Sequence, residues 1–432
     1  MPIRRWTNGV RKGLQRMSGA DEAGMTARQQ AMVDDLKARH LIQTEAVEMA
    51  FRAVPRHLFL PDVPPDRIYR DDAIVTHYNS RKQPISSSSQ PAIMALMLEM
   101  LVLEPGHRVL EIGAGTGYNA ALMAHIVGET GQVTTIDIDT DFVHEATKHL
   151  AASDYTQVRV LCGDGAYGAD AFAPFDRIIL TVGAGDIAPA WRDQLQMGGR
   201  LVLPLTLRST PRVIAFERTS AHNLTSVDVT LGGFMPLRGA NALDERLYAL
   251  PGEEKGTFWS DGKVELDLDA LAQALSSPVR DVPTGVQAKM ISNWAGWAMW
   301  LELHDPAFGQ VYVERPKGEE RARLEQRCGL IEGRQVAVII PRSDHVRKRR
   351  TNGVELLVRI YGESDALATR LTNHLLNWQA AGSPPLEEDL RVQVLPAEVR
   401  LKLPAGALYI RKHHMQYLID ILPLNPSNPL AQ

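Results

Sequence analysis

Residues 109–117 read Val-Leu-Glu-Ile-Gly-Ala-Gly-Thr-Gly, an apolar strand running into three glycines at alternate positions and then into a helical stretch, Tyr118 to Val127. Gly113, Gly115 and Gly117 allow main chain to approach a ligand where a Cβ would clash, and a helix start presents N–H groups with no partner of their own. The chemistry this suits is the cradling of a nucleotide-bearing cofactor by backbone. Dinucleotide folds space their glycines as Gly-x-Gly-x-x-Gly; here the spacing is different, Thr116 separates the last two glycines, and an acid, Glu111, stands two residues before the first. Asp137 closes the β-branched run Gln132 to Asp137, about 20 residues beyond the loop, where a carboxylate can accept from both hydroxyls of a ribose. A third apolar run, Val158 to Cys162, ends in Gly163-Asp164-Gly165. A bare glycine loop also occurs as a plain tight turn; acids at three strand tips favour the cofactor.

The elements that must hold these residues alternate strand with helix. Phe175 to Leu180 and Gly199 to Pro204 read as a fourth and fifth strand, and the alternation predicts an α/β, Rossmann-like doubly wound sheet. Upstream, Thr26-Ala27-Arg28-Gln29 has capping-box form and predicts a helix to His40, and Thr44 predicts a second cap with a helix to Val54. A Pro-rich stretch through Pro61 and Pro65 leads to a long irregular segment, Asp71 to Gln90, before a helix from Pro91 to Val102; a loop that long in a compact domain is more often functional than idle. With 432 residues two domains are the natural expectation. The organisation expected is a basic flexible leader at 1–24, a cofactor domain at 25–240 and an accessory mixed α/β domain at 241–432.

The glycine loop with its preceding acid resembles motif I of class I S-adenosylmethionine (SAM) methyltransferases. Five elements sharpen the resemblance: Val54-Pro55-Arg56-His57-Leu58-Phe59-Leu60-Pro61, Ser89-Gln90-Pro91 opening a helix, Val109 to Gly117, Gly163-Asp164-Gly165, and Gly233-Phe234-Met235-Pro236-Leu237. In that order they resemble the protein-L-isoaspartate O-methyltransferase family over roughly residues 26 to 240. The resemblance implies SAM as cofactor, held by Glu111, Gly113, Gly115, Thr116, Gly117, Asp137, Asp164 and Gly165, with Asp164 facing the adenine amino group. It places Ser89 at the methyl-acceptor carboxylate, with Ser88 and Ser87 beside it in the catalytic loop, and it implies no metal. The chain departs from the family pattern in having Ser87-Ser88 where Thr-Ile is usual and Lys82-Gln83-Pro84 where the approach is glycine-rich. A run of four serines, Ser86 to Ser89, also reads as an ordinary loop with one serine capping the helix at Pro91.

A carboxylate is already a nucleophile at neutral pH, so this transfer needs positioning rather than a strong base; His57 and His77 are accordingly expected to be structural or solvent-facing. The ester formed on an Asp or isoAsp side chain invites attack by the next backbone nitrogen, closing a succinimide that hydrolyses to Asp or isoAsp. The extra C-terminal residues and the serine run resemble the branch of the family that modifies ribosomally made peptides (lanthipeptides, lasso peptides, graspetides). The expectation is therefore a peptide-tailoring carboxyl methyltransferase acting on a modified precursor peptide, with general isoaspartate repair as the alternative and a non-catalytic SAM- or peptide-binding scaffold as the alternative of another class. Methylation of a base amino group would call for an Asn/Asp-Pro-Pro-aromatic element after the fourth strand, where this chain has Thr181-Val182-Gly183-Ala184.

Composition sets outer limits. A net charge of −4 argues against a dedicated nucleic-acid binder, although Arg4, Arg5, Arg11, Lys12 and Arg16 and the run Arg347-Lys348-Arg349-Arg350 form basic clusters suited to an acidic peptide or to plain solvation. Two cysteines, Cys162 and Cys328, make no disulfide framework, and no apolar run reaches spanning length; a cytoplasmic enzyme without a membrane partner is expected, with no oligomeric state implied. After residue 240, Leu266 to Leu275, Val336 to Ile340, Glu355 to Tyr361 and Ser364 to Trp378 give strand and helix patterns without a catalytic motif. Trp294, Trp297 and Trp300 recur at helical spacing on Asn293 to Leu303, a stripe that predicts helix-core packing rather than a peptide groove.

Overall fold

The computed structural model describes residues 19–242, 247–249, 256–259, 266–277, 279–288, 292–314, 324–342, 354–362, 365–383, 390–403 and 407–421. Both basic clusters and Ser364 lie outside the described residues. The chain divides into two compact units, one of residues 1–165 with 171–181, the other of residues 166–170 with 182–432.

The first unit begins with helices α1 (Gly19–Ala38) and α2 (Glu45–Ala53), a 3-10 turn over Arg56–Phe59 and the short α3 (Pro65–Ile68). A hairpin of β1 (Ile74–Tyr78) and β2 (Pro84–Ser88) then leads into α4 (Pro91–Leu101). Next come β3 (Arg108–Ile112), α5 (Tyr118–Val127), β4 (Gln132–Asp137), α6 (Thr140–Ala152), β5 (Arg159–Cys162) and β6 (Phe175–Leu180). The strands lie in the order β6, β3, β4, β5, all parallel. Val109, Leu110, Ile112, Val133, Ile136 and Ile178 are buried, as expected where helices cover both faces of a parallel sheet. β3 is thus flanked on one side by the next strand and on the other by the last one, and the crevice beyond the carboxyl end of such a switch-point strand is where ligands of open α/β sheets bind.

Two expectations change. α1 starts at Gly19, so Thr26 is interior to it and its hydroxyl donates to the Glu22 carbonyl instead of capping. Thr44 does cap α2, accepting from Val47 N, and is itself held by Glu99 Oε1 of α4, which accepts from Gln43 N, Thr44 N and the Thr44 hydroxyl. The second change is at 71–90, which is no irregular loop. Ile74 pairs with Ser88, Val75 with Ser87 and His77 with Ser86. β-branched Ile74, Val75 and Thr76 suit one strand, and the turn is made locally, Asn79 Oδ1 accepting from Arg81 N and Gln83 N while Lys82 takes a positive φ of 60°. No serine caps α4: its N-cap is Gln90, without a side-chain bond, and Asp71 Oδ1 accepts from Ala92 N in its place.

The second unit opens with α7 (Pro189–Gln194) and the antiparallel strands β7 (Leu195–Thr206), β8 (Pro211–Arg218) and β9 (Leu224–Leu231). Seven strands follow: β10 (Leu247–Ala249), β11 (Gly256–Trp259), β12 (Val279–Ala288), β13 (Phe308–Glu314), β14 (Leu324–Glu332), β15 (Gln335–Pro341) and β16 (Val354–Tyr361). They form one antiparallel sheet in the order β10, β11, β13, β14, β15, β16, β12. Helices α8 (Leu268–Leu275), α9 (Ser292–His304) and α10 (Asp365–Ala380) accompany it. Strand alternation divides its core: Ala337 and Ile339 of β15 pack with Trp297, Leu371 and Trp378, whereas Val336, Val338 and Ile340 pack with Leu271 of α8. Trp297 is 1% exposed and Trp300 packs against the same cluster, so these two ring positions serve the core as expected. Finally β17 (Leu390–Pro396), β18 (Leu408–Arg411) and β19 (Met415–Ile421) return to extend the β7–β9 sheet, Gln393 pairing with Thr225 and Val394 with Leu224. Buried Asp186 fastens this return by accepting from the Tyr417 hydroxyl at 2.5 Å and from His414 N at 2.7 Å. Cys162 is exposed and Cys328 buried, both free, and no described helix is long and apolar enough to cross a membrane.

Within the first unit, the segment after β5 approaches the end of β3 through a missing side chain: a Cβ on Gly165 would collide with Ile112 Cγ2, whereas one on Gly163 would touch Ile136 Cδ1 at an ordinary 3.4 Å. Gly165→Ala is expected to destabilise the protein by about 1–3 kcal/mol through overpacking, and Gly163→Ala by less than about 0.5 kcal/mol, as read by denaturant unfolding. Equal losses would mean that the close approach at Ile112 does not constrain these strand tips.

Candidate functional site

Beyond the end of β3 the chain takes the left-handed region at each glycine, with φ of 102° at Gly113, 49° at Gly115 and 87° at Gly117. Three neighbours fix that shape. From β4, Asp137 Oδ2 accepts from Gly115 N at 3.1 Å; from the end of β6, the Thr181 hydroxyl donates to the Gly113 carbonyl at 2.7 Å; from α6, His149 Nδ1 donates to the Thr116 carbonyl at 3.1 Å. Gly117 also admits α6, since a Cβ there would sit 3.3 Å from the Ala146 carbonyl oxygen and from Leu150 Cγ. Gly115 is different. A Cβ on it would meet nothing within 4 Å, so its missing side chain leaves an open cradle, and α5 follows Gly117, an N-cap that offers no side-chain bond.

Around the cradle the side chains are acidic. Glu111, wholly buried, accepts from Asn119 Nδ2 at 2.8 Å and from the Thr135 hydroxyl at 2.7 Å. Burial first, then the nearby Asp137 carboxylate, push it up to about 7 against those two hydrogen bonds. Asp137 is half-buried, its Oδ1 accepting from Asp139 N at 3.2 Å. Asp164, also half-buried, follows Cys162, the residue that pairs with Asp137 across β4 and β5. Thr116 and Gly165 are buried. An uncapped helix start beside three carboxyl groups is a poor seat for a pyrophosphate, which would repel them, and a good one for a nucleoside carrying a cation. These groups fit SAM: carboxylates to accept from a ribose diol and an amino group, a cradle for main-chain approach, and negative charge for a sulfonium.

The serines divide by strand alternation. Ser86 and Ser88 are buried, Ser87 and Ser89 half-buried. The Ser86 hydroxyl accepts from Thr76 Oγ1 at 3.1 Å, the Ser88 hydroxyl accepts from Arg56 Nη2 at 3.2 Å, and the same nitrogen donates to the Ser89 carbonyl at 2.9 Å. Arg56 has no exposed surface and its Cζ lies 5.9 Å from the centroid of the Tyr118 ring, the first residue of α5. His57 Nδ1 pairs with the Tyr69 hydroxyl at 2.8 Å, with burial lowering its basicity, and the His77 ring packs 4.6 Å from Phe142 while Nε2 meets Glu145 at 3.2 Å. Both histidines thus hold structure together. No group of metal-ligating residues occurs among the described residues. Sequence reasoning missed Arg56, Asn119, Thr135 and Thr181 as supports of the site. Of these only Arg56 left a signal, a fixed charge standing in the mostly apolar run from Val54 to Pro61.

Comparison with known proteins places the chain by its sequence. The family described as protein-L-isoaspartate(D-aspartate) O-methyltransferase matches residues 27–242. A protein-L-isoaspartate O-methyltransferase of Methanopyrus kandleri is 35% identical over 230 residues, covering 53% of this chain and 99% of that one. Its counterpart in Thermotoga maritima is 38% identical over 173 residues, covering 40% of this chain and 54% of that one, so the chain spans about half the length of that relative. A solved protein-L-isoaspartate O-methyltransferase is similar at 24% identity and a TM-score of 0.47, over 84% of this chain and 96% of that one. The chain belongs to the protein-L-isoaspartate(D-aspartate) O-methyltransferase family, whose methyl donor is S-adenosylmethionine.

Proposed function

We propose that this chain methylates the free carboxylate of an isoaspartyl or aspartyl residue in a peptide or protein. The observation that carries the reading is the joining of two sites in one unit: the cradle at Gly113 to Gly117 and the hairpin end at Ser89, bridged by Arg56 between Tyr118 and the serines. In this reading Glu111, Gly113, Gly115, Thr116, Gly117, Asp137, Asp164 and Gly165 hold the cofactor, with Asp137 on the ribose and Asp164 toward the base. SAM held there would supply an electrophilic methyl carbon, the carbon–sulfur electron pair staying on sulfur to give a neutral thioether. Ser89 donates its hydroxyl to one oxygen of the acceptor and leaves the other directed at the methyl group; Ser87, half-buried like Ser89, lines the approach, and Ser88 fixes the strand end against Arg56. Orientation of this kind can supply about 7–11 kcal/mol of barrier reduction, and because an ionised carboxylate has no proton to remove, no histidine base is required. In the ester formed, the next backbone nitrogen attacks the carbonyl, methanol departs with the amide proton, and the succinimide hydrolyses to Asp or isoAsp.

General isoaspartate repair is the reading that the names of the relatives support. Tailoring of a modified precursor peptide is a second reading, favoured by Ser87-Ser88 and Lys82-Gln83-Pro84 in the loop and by residues 241–432 as an accessory or recruiting domain. Residues 1–24 would serve it as a basic leader, and a cytoplasmic site of action suits both. Competition between an unstructured isoAsp peptide and a modified precursor peptide for the same methyl donor separates them. Indifference to the precursor would remove tailoring, and failure to modify any isoAsp peptide would remove repair.

Ser89→Ala is expected to lower kcat/KM for the peptide about 10- to 100-fold with SAM affinity unchanged, measured by steady-state kinetics and calorimetry; unchanged transfer would take Ser89 out of the site. Glu111 gives a pH signature. Its carboxyl is raised from 4.5 to about 7, so its contribution to stability is complete below about 4.5 and is lost as pH rises through 7, on the order of 3 kcal/mol in all. A bound cation favours the ionised form, so SAM affinity is expected to rise across the same interval. Glu111→Gln should flatten both profiles, and a variant with the wild-type pH slope would show that Glu111 does not titrate there.

A further inference from the structure

Arg56 holds more charge than its hydrogen bonds need. It has no exposed surface, its Nη2 donates only to the uncharged Ser88 hydroxyl and Ser89 carbonyl, and Nε and Nη1 have no hydrogen-bond partner among the described residues. No salt bridge reaches it among the described residues. The carboxylate that acts on it from a distance, Asp71, is engaged elsewhere, with Oδ2 accepting from Arg39 at 2.7 Å and Oδ1 from Ala92 N at 2.8 Å. Burial lowers the basicity of Arg56, yet a guanidinium does not give up its proton in a protein. An unpaired buried cation is costly, and the Tyr118 ring at 5.9 Å offsets only part of that.

We propose that Arg56 is a positioning residue that supplies the counter-charge for the acceptor: its guanidinium, standing behind the Ser88–Ser89 backbone, makes that loop select a side chain bearing a carboxylate over a neutral one of the same shape. This rests on the reading that Ser89 meets the acceptor. The incoming anion completes a charge pair that the free protein leaves open, and Arg56 acts across the Ser89 carbonyl and the Ser88 hydroxyl without touching the substrate. The neutral role to be separated from it is that of a brace, in which Arg56 merely fixes the hairpin end.

The test uses two peptides that differ at one group, an isoAsp peptide and its isoasparaginyl counterpart, in which the free carboxylate is a carboxamide. Their affinities for the wild-type, Arg56→Gln and Arg56→Lys proteins are measured in the presence of S-adenosylhomocysteine, with SAM affinity and thermal unfolding followed alongside. The wild type is expected to prefer the carboxylate about 10- to 100-fold. Arg56→Gln, which keeps a donor for the Ser89 carbonyl, should erase that preference with SAM affinity unchanged, the loss in turnover appearing in KM rather than kcat. Arg56→Lys, which keeps the charge, should retain part of it. Equal weakening of both peptides in Arg56→Gln would show a brace and overturn the proposal. If Arg56→Gln does not fold, equal affinity of the two peptides for the wild type, or loss of the preference in folded Arg56→Lys, overturns it as well. Failure of the wild type to methylate the isoAsp peptide is a different result and strikes the proposed function itself.

Discussion

The site depends on five residues of main chain being held in a shape that side chains would forbid. From Gly113 to Gly117 the backbone reverses out of a strand and into a helix through three positive φ values, a path that costs a residue with a Cβ roughly 1–2 kcal/mol at each such position. What keeps that path in place comes from three elements at once: a carboxylate on β4, a hydroxyl at the end of β6 and an imidazole on α6. Parallel pairing of β3 with β4 and β6 brings those elements there. The loop, and with it any cofactor seated on it, therefore exists only when the sheet is assembled in that order.

Around this frame stand two buried ionisable groups, one acidic and one basic, neither with an ionic partner among the described residues. Glu111 has only the amide of Asn119 and the hydroxyl of Thr135, and Arg56 only a hydroxyl and a carbonyl. Buried ions normally find each other; these two serve different sides of the same unit. On the proposed reading the reactants complete both pairs, a sulfonium toward the acid and a carboxylate toward the guanidinium. Methyl transfer then annihilates those reactant charges, leaving a thioether and an ester, so the site attracts what it consumes and holds the products less strongly.

Much of this was legible in the sequence because it rests on short-range pattern. The apolar strands, the glycine spacing and the acids at strand tips are local, and the strands at 132–137 and 175–180 fall where periodicity and β-branching put them. Thr44 and its helix were equally local. Two local rules failed for different reasons: Thr26 lost its capping role because the helix begins further upstream, and the helix at Pro91 takes the acceptor for Ala92 N from a tertiary partner, Asp71, twenty-one residues away. The hairpin carrying the serines was hidden because serine is a weak strand former, and the pairing with Ile74 and Val75 decides it. Nothing in one sequence marks that Gln393 returns to pair with Thr225, or that a lone arginine in an apolar run would sit beneath the serines.

A methyl group placed on a carboxylate oxygen makes a base-labile ester, and that lability is the decisive property of the product. With methyl-labelled SAM and an isoAsp peptide, the label in the wild-type product should be released as volatile methanol under mild base, and the peptide recovered should contain aspartate in place of part of its isoaspartate. Label that survives base on the peptide, as an N-methyl group or an ether would, with the isoaspartate content unchanged, would contradict the account.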